Sequence, residues 1–328
     1  MKKTSIAALS LFLLASCSGP TKEDKGEAFS WVTPTGAPTL AFYDQGDNPN
    51  WVSASNPSEV VVPSFAANAY DGIVFDGVSG LTMMAKNGKA ANYKLARWIN
   101  NLGFYLVSVS HAKEQIEAWD ASWTVDAFVK TGNASRCLLS LSESLWGWGD
   151  ISSQVTYETG LDAVVSNVPA NGYDFYLLAD PAYTNLKSKM GDKLHLIYDL
   201  QEEWGKAHGG AKIPSAALFL KSEGLSGRAS AYQKFLEETD ERLKTLVDAP
   251  EKAKAALKEY AEEDPSHVVN GALPKFGIAS SIVENLPSLQ SHNAFGFVRD
   301  ENAGEPKEIA NSFSQALGGP SFGDEFFC

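Results

Sequence analysis

Short apolar runs alternate along the chain with longer stretches in which apolar positions recur every three or four residues. The runs Val60–Val62, Gly72–Phe75, Phe104–Val109, Thr124–Val129, Asp174–Ala179, Lys193–Tyr198 and Ala216–Leu220 read as buried strands. Thr39–Tyr43, Leu81–Lys86, Ala134–Trp146 and Tyr157–Asn167 read as helices between them. Alternation of the two element types is the α/β pattern, and it predicts parallel sheets covered by helices.

The clearest helical region is Ala229–Glu263. Phe235, Leu236, Thr239, Leu243, Leu246 and Val247 form one apolar face. Glu238 before Arg242 and Asp240 before Lys244 supply acid-before-base pairs at four-residue spacing on the outer side. Asp248-Ala249-Pro250-Glu251 reads as a fresh start, with Asp248 as cap, Pro250 in the first turn and Glu251 reaching back. This segment is expected to be scaffold.

The N-terminus follows another rule. Lys2 and Lys3 precede the apolar stretch Ile6–Ala15, whose ten residues fall short of the roughly 20 needed to span a bilayer. That is the form of a secretory signal peptide. Leu14-Ala15-Ser16-Cys17 resembles a bacterial lipobox, in which the Cys17 thiol is acylated (palmitate is the usual chain) and becomes the new terminus. Residues 1–16 are therefore expected to be a lipoprotein signal, and 17–28 a polar, lipid-anchored tether. The expected location is extracytoplasmic, anchored to a bacterial membrane. Cys137 and Cys328 are then left, and both are expected to be free thiols.

Length and charge narrow the reading. At 328 residues the chain exceeds the single-core limit of about 250–300, so two lobes are expected. The balance of 27 basic against 40 acidic residues, a net charge of -13, argues against a nucleic-acid partner, which would need a basic stripe.

No catalytic set stands out. His111, His195, His208, His267 and His292 show no HxH or HExxH spacing, and Cys137 has no cysteine or histidine near it, so no metal or cofactor is expected. GxSxG and GxxxxGK[ST] patterns are absent. Glu202-Glu203, Glu237-Glu238 and Glu262-Glu263 lie in charged helical contexts and read as solvated faces. The expectation is a protein that is not an enzyme.

What recurs instead is a glycine-bearing turn that opens a helix. Thr35-Gly36-Ala37-Pro38-Thr39 is one case, and Gly132-Asn133-Ala134-Ser135, after a strand, is another. Each aims free backbone N–H groups at the carboxyl edge of a sheet, where α/β proteins bind ligands. A plain turn or cap role is the alternative for every polar residue in them.

Taken in order, these pieces resemble bacterial ABC-transporter solute-binding proteins of the nitrate/sulfonate/taurine type and the related binders of thiamine precursors and riboflavin. Thr35–Ala41 is similar to the family's opening turn. Tyr70-Asp71-Gly72-Ile73-Val74-Phe75 is similar to its "G-x-D-a-a" strand, and Asn101–Val107 to the strand leaving the first lobe. Asn171–Ala182 resembles its "sG-x-x-D-a-l-l-a-E-P" segment, with Asp180 in place of the usual Glu, and Pro214–Leu220 resembles the return strand. The loop Trp51–Pro57 aligns with nothing.

The resemblance implies a type II periplasmic-binding fold, with two α/β lobes joined by two crossover hinge strands. Lobe 1 would be 29–109 and 221–328, and lobe 2 would be 110–220. It implies capture of a small solute in the inter-lobe cleft by a monomer and delivery to an ABC permease in the cytoplasmic membrane. Gly36, Ala37, Pro38 and Thr39 would donate from one lobe, with Asp76 and Ser79 beside them. Gly132, Asn133, Ala134, Ser135 and Asp180 would face them, and Asn101 and Phe104 would lie near the hinge.

Tyr43, Trp51, Phe104, Trp146 and Trp148 fall near these loops, and Arg136 is the one basic residue beside them. That supply favours an aromatic heterocycle, a vitamin or its precursor, over a sulfonate- or nitrate-type anion. A surface lipoprotein that binds a protein partner without transport is a further reading. Enzymes of this fold that make the thiamine pyrimidine carry a cysteine-rich motif, whereas only Cys137 lies in the body here.

Overall fold

Ten strands assemble into two five-stranded sheets with one repeated plan, in a computed structural model that describes residues 28–86, 92–101, 103–130, 132–291, 294–298 and 305–328. The signal segment, Cys17 and the tether up to residue 27 lie outside the described residues.

In chain order the strands and helices begin β1 (Trp31–Pro34), β2 (Trp51–Ala54), α1 (Pro57–Ala67), β3 (Gly72–Asp76), α2 (Gly77–Lys86) and β4 (Tyr93–Trp98). Then follow β5 (Phe104–Ser108), β6 (Val125–Phe128), α3 (Asn133–Ser144), β7 (Val155–Glu158), α4 (Leu161–Asn167), β8 (Phe175–Ala179), α5 (Ala182–Met190), β9 (His195–Asp199) and α6 (Leu200–Ala207). The chain continues through β10 (Ala216–Lys221), α7 (Ser222–Gly227), α8 (Ala229–Asp248) and α9 (Pro250–Glu263). A small hairpin of β11 (Ala272–Leu273) and β12 (Ile278–Ala279) leads to α10 (Ser280–Ser291) and α11 (Pro306–Ala316).

The first sheet has the order β2-β1-β3-β10-β4 and the second β7-β6-β8-β5-β9. In each, three strands run parallel and the fourth in line is antiparallel to both neighbours: β10 between β3 and β4, and β5 between β8 and β9. Those antiparallel strands are the crossovers. β5 enters the second sheet directly after β4 of the first, and β10 returns to the first sheet after β9 and α6 of the second.

The expected lobe limits put 104–109 in lobe 1 and 216–220 in lobe 2, whereas hydrogen bonding pairs β5 within the second sheet and β10 within the first. A crossover strand carries no local mark of the sheet that it joins, because its partners lie far away in sequence.

Central strands are sealed on both faces, as parallel sheets between helices require. All five residues of β8 are buried, and so are Ala216–Leu220 of β10. Val32, Ile73, Leu95 and Phe219 pack in one apolar cluster, while Trp31, Val74, Leu218 and Leu220 pack in another, the alternation expected of strands.

Two expected elements are of the wrong kind. Val60–Val62, read as a strand, lies inside α1, where Pro57 occupies the first turn and Val61 and Phe65, four apart, are buried on one side. Packing of that face outweighs the strand preference of three valines. Tyr157 and Glu158, read as helical, belong to β7, and α4 begins only at Leu161.

The scaffold helices fall where the pattern put them, with changed details. The break between α8 and α9 lies at Ala249, which takes the cap position without a side-chain cap bond, so Asp248 ends one helix and does not cap the next. Arg242 meets Glu238 at 3.6 Å but also binds Asp44 at 2.6 Å. Asp240 binds Arg97 at 3.0 Å, since β4 passes beside α8 and brings a guanidinium within reach. Cys137 is buried and Cys328 partly exposed, and no disulfide joins them.

Candidate functional site

Loops at the carboxyl ends of strands from both sheets enclose a cleft of about 640 Å³. From the first sheet come Gly36, Ala37, Pro38 and Asp76. From the second come Phe104, Gly132, Asn133, Ala134 and Asp180. Of the residues expected at the site, these nine line the cleft.

The turn after β1 shows why glycine stands there. Gly36 has φ 100, a left-handed conformation that a side chain would strain, and its N–H donates to Phe276 O at 2.8 Å. Thr39 is turned inward. Its hydroxyl donates to Gly36 O at 2.6 Å and to Phe276 O at 2.8 Å, so it ties the turn to the 273–277 segment and does not line the cleft.

Asp76 ends β3 and faces the other wall. Its Oδ1 accepts the Ser79 N–H at 2.7 Å, which caps the first turn of α2. Its Oδ2 accepts the Asn133 Nδ2–H at 2.6 Å, from the first residue of α3. Asn133 Nδ2 also donates to Pro214 O at 3.1 Å, just before β10. One amide thus joins the two walls twice.

Burial pushes the Asp76 carboxyl up to about 6 against the opposing pull of Ser79 and the more distant Arg136. The Cys137 thiol, on the buried side of α3, is also pushed up, by desolvation first and by Asp76 in addition. Ser79 itself serves Asp76 and does not line the cleft.

Asp180 lies at the end of β8, with 3% of its surface exposed. Its Oδ2 accepts the Tyr105 hydroxyl at 2.7 Å, and its Oδ1 accepts the Thr184 hydroxyl at 2.7 Å and the Thr184 N–H at 3.2 Å. Burial raises its pKa above the usual aspartate range. With both oxygens engaged, Asp180 holds the β8–α5 loop in place. A cis peptide joins it to Pro181, also on the cleft wall.

Ser135 and Asn101 sit elsewhere than expected. Ser135 is buried and donates to Phe128 O at 2.8 Å, securing α3 to β6. Asn101 lines a separate cavity of about 320 Å³ beside Trp98 and Trp204. The hinge pin is its neighbour. Asn100 is fully buried, its Oδ1 accepts the Ala216 N–H at 3.0 Å, and its carbonyl accepts the Ser215 N–H, so the two crossings are bound side by side.

Several cleft residues escaped sequence reasoning. Gly277, Ile278, Ala279 and Ile282 close one side, brought there because Gly36 and Thr39 bind Phe276. Val129 and Lys189 line the other wall. The glycine at 277, with φ 64 and its Cα against Thr35, was the one sequence signal available for the first group.

Of the aromatic residues expected near a ligand, only Phe104 lines the cleft, where Phe128 joins it. Trp51 stacks on Trp31 in the core at 6.1 Å, Tyr43 packs on the same core, and Trp146 stacks on Tyr198 at 4.1 Å beside Trp148. Among the described residues three carboxylates (Asp76, Asp162 and Asp180) and one ammonium (Lys189) line the cleft. Among the described residues no group of histidines, cysteines or acids could hold a metal ion.

No family model and no curated protein matches this sequence. Solved structures do. An ABC transporter protein from Parabacteroides distasonis superposes with a TM-score of 0.63 at 13% identity, over 92% of this chain and 98% of that one. The periplasmic aliphatic sulphonate binding protein SsuA from Escherichia coli gives 0.59 at 13% identity, over 90% and 95%. A Candida albicans protein described as having the generic periplasmic binding protein fold gives 0.56 at 10% identity, over 89% of each. The chain therefore has the periplasmic binding protein fold, and sulfonate-binding proteins, one of the kinds that the sequence resembles, are among its structural neighbours.

Proposed function

We propose that this chain is the extracytoplasmic solute-binding lipoprotein of an ABC importer. It would be held to a bacterial membrane through acylated Cys17, capture a small solute in the cleft and deliver it to the permease. The observation that carries the reading is a cleft whose two walls come from different sheets and meet through Asp76 and Asn133. Walls joined by two crossovers are free to part and close as a hinge. Binding energy then goes into closure, and the reading assigns the chain no covalent chemistry. Among the described residues no helix is long and apolar enough to cross a membrane.

Phe104 and Phe128 offer an apolar wall to a ring or short carbon skeleton, and this supports a heterocyclic vitamin or precursor as the solute. The anion reading draws on α3, whose N-terminus has no side-chain cap, and on Lys189.

A thermal-shift screen of the full chain against vitamins, pyrimidines, sulfonates, nitrate and amines tests the function. A solute at a hundred times its Kd should stabilise the protein by about 2.7 kcal/mol. Silence across the panel contradicts the reading. Cys17→Ser should move the protein from the membrane to the soluble fraction, and retention of the variant on the membrane would contradict the anchor.

A further inference from the structure

We infer that the solute presents an amino or ammonium N–H to Asp76, taking the place that the Asn133 side-chain amide holds here. This rests on the solute-binding reading and names the chemistry of its ligand.

The orientation of the Asn133 amide is fixed by its neighbours. Both groups that it faces, Asp76 Oδ2 at 2.6 Å and Pro214 O at 3.1 Å, are acceptors, so the nitrogen must point at them. The amide oxygen is then turned away. Asn133 Oδ1 is buried and has no hydrogen-bond partner among the described residues, in a residue only 4% exposed. An unmet buried acceptor costs stability that a donor on a ligand would restore. The junction between the walls therefore holds two acceptors sharing one donor group, and a third acceptor with none.

Charge points the same way. Asp76 makes no ion pair among the described residues, and its direct partners are the Ser79 and Asn133 donors. Arg136 acts on it only through space, and Cys137 is the other titratable group packed near it. A half-buried carboxylate without a cation is costly, and a charged donor to a carboxylate is stronger than a neutral amide donor. A solute ammonium or ring amino group can therefore replace Asn133 on Asp76 at a gain. The displaced amide then turns its N–H and its carbonyl to the rest of the ligand. A sulfonate placed in the same position would face the Asp76 carboxylate and the Asn133 carbonyl, with Asp162 and Asp180 on the same cleft. An anionic end of a solute can still meet Lys189, so a zwitterion satisfies both ends.

Matched probes separate the possibilities. Calorimetric affinities are measured on the detergent-solubilised full chain for 4-aminopyrimidine against pyrimidine, and for 2-aminoethanesulfonate against ethanesulfonate. In a pair that binds, the amino member should be tighter by about tenfold or more, because a site built to bond N–H rejects the analogue lacking it. Asp76→Asn should erase most of that preference, while Asn133→Ser, which leaves Asp76 charged, should keep it. A pair in which the amino-free member binds equally or better overturns the inference and leaves the solute-binding reading intact. No binding by any of the four overturns the inference, and where the wider screen also shows no thermal shift it overturns the solute-binding reading as well.

Discussion

Asp76 Oδ2 and Asn133 Nδ2 stand 2.6 Å apart, one at the end of a strand in the first sheet and the other at the start of a helix over the second. Because the same amide reaches Pro214 O, a single side chain holds the two walls together at the mouth of β10. In a hinged protein such a contact weighs directly on the balance between open and closed forms.

Asn133→Ala removes both bonds and leaves the fold of each wall untouched. Bonds to a charged group contribute about 1.5–3 kcal/mol, enough to shift the balance toward the open form by tenfold or more. Small-angle X-ray scattering should show a larger radius of gyration for the variant without solute. An unchanged radius would mean that the contact does not hold the walls.

The raised pKa of Asp76 has a signed consequence. Its unfolded value is 3.8 and its folded value about 6, so between those pH values the folded state binds the extra proton. Stability attributable to Asp76 is therefore greatest below about 4 and falls as pH rises through about 6, by on the order of 1–3 kcal/mol. Urea titrations of the parent and Asp76→Asn at pH 4.5 and 7.5 should differ in slope with that sign. Arg136 opposes the shift, so Arg136→Gln should enlarge it.

Tyr105 and Asp180 brace the β8–α5 loop from β5. Tyr105→Phe keeps the ring stacked on Tyr183, now at 4.2 Å, and removes only the hydroxyl. A buried carboxylate oxygen loses its donor, at a cost of about 1.5–3 kcal/mol in denaturant unfolding. A loss below about 0.5 kcal/mol would show that water replaces the hydroxyl freely.

Val129 sits on the cleft wall at φ 48, in the left-handed region that a β-branched residue enters only under strain. It is 44% exposed, so little burial is lost by changing it. Val129→Asn should stabilise the chain by about 1 kcal/mol, because asparagine tolerates that conformation. Destabilisation would show that the valine side chain contributes more than the strain costs.

How far the sequence disclosed this arrangement depended on where each signal lies. β3, β5, β6, β8 and β10 were legible because largely apolar runs mark strands buried in the middle of a sheet, and β9, an edge strand with Leu196 exposed, was legible from Leu194, Leu196, Ile197 and Tyr198. β1 and β2 were not, since Trp31–Pro34 ends in proline and Trp51–Ala54 stands among asparagine, serine and proline. The glycine turns at Gly36 and Gly132 announced two cleft loops, and the glycine at 36 is required by its φ.

Within those loops, sequence could not separate residues that face the cleft from residues that hold it. Thr39, Ser79 and Ser135 look like ligand hydroxyls, yet each is committed to a bond inside the protein. Asn100 rather than Asn101 pins the hinge, a choice made by a register against Ala216 that only the folded crossovers create. The wall at Gly277–Ile282 reaches the cleft through bonds to a turn some 240 residues away in the chain, which no local pattern records. In the same way, the two sheets repeat one plan while their sequences show no repeat.

The central claim is that one solute is held between both walls at once, and hydrogen exchange with the tightest hit of the solute screen tests it most directly. The account predicts that amides of 36–42 and of 132–137 gain protection together on binding, and lose the gain in Asp76→Asn. Protection confined to one wall, or appearing only around Trp98 and Trp204, would contradict it.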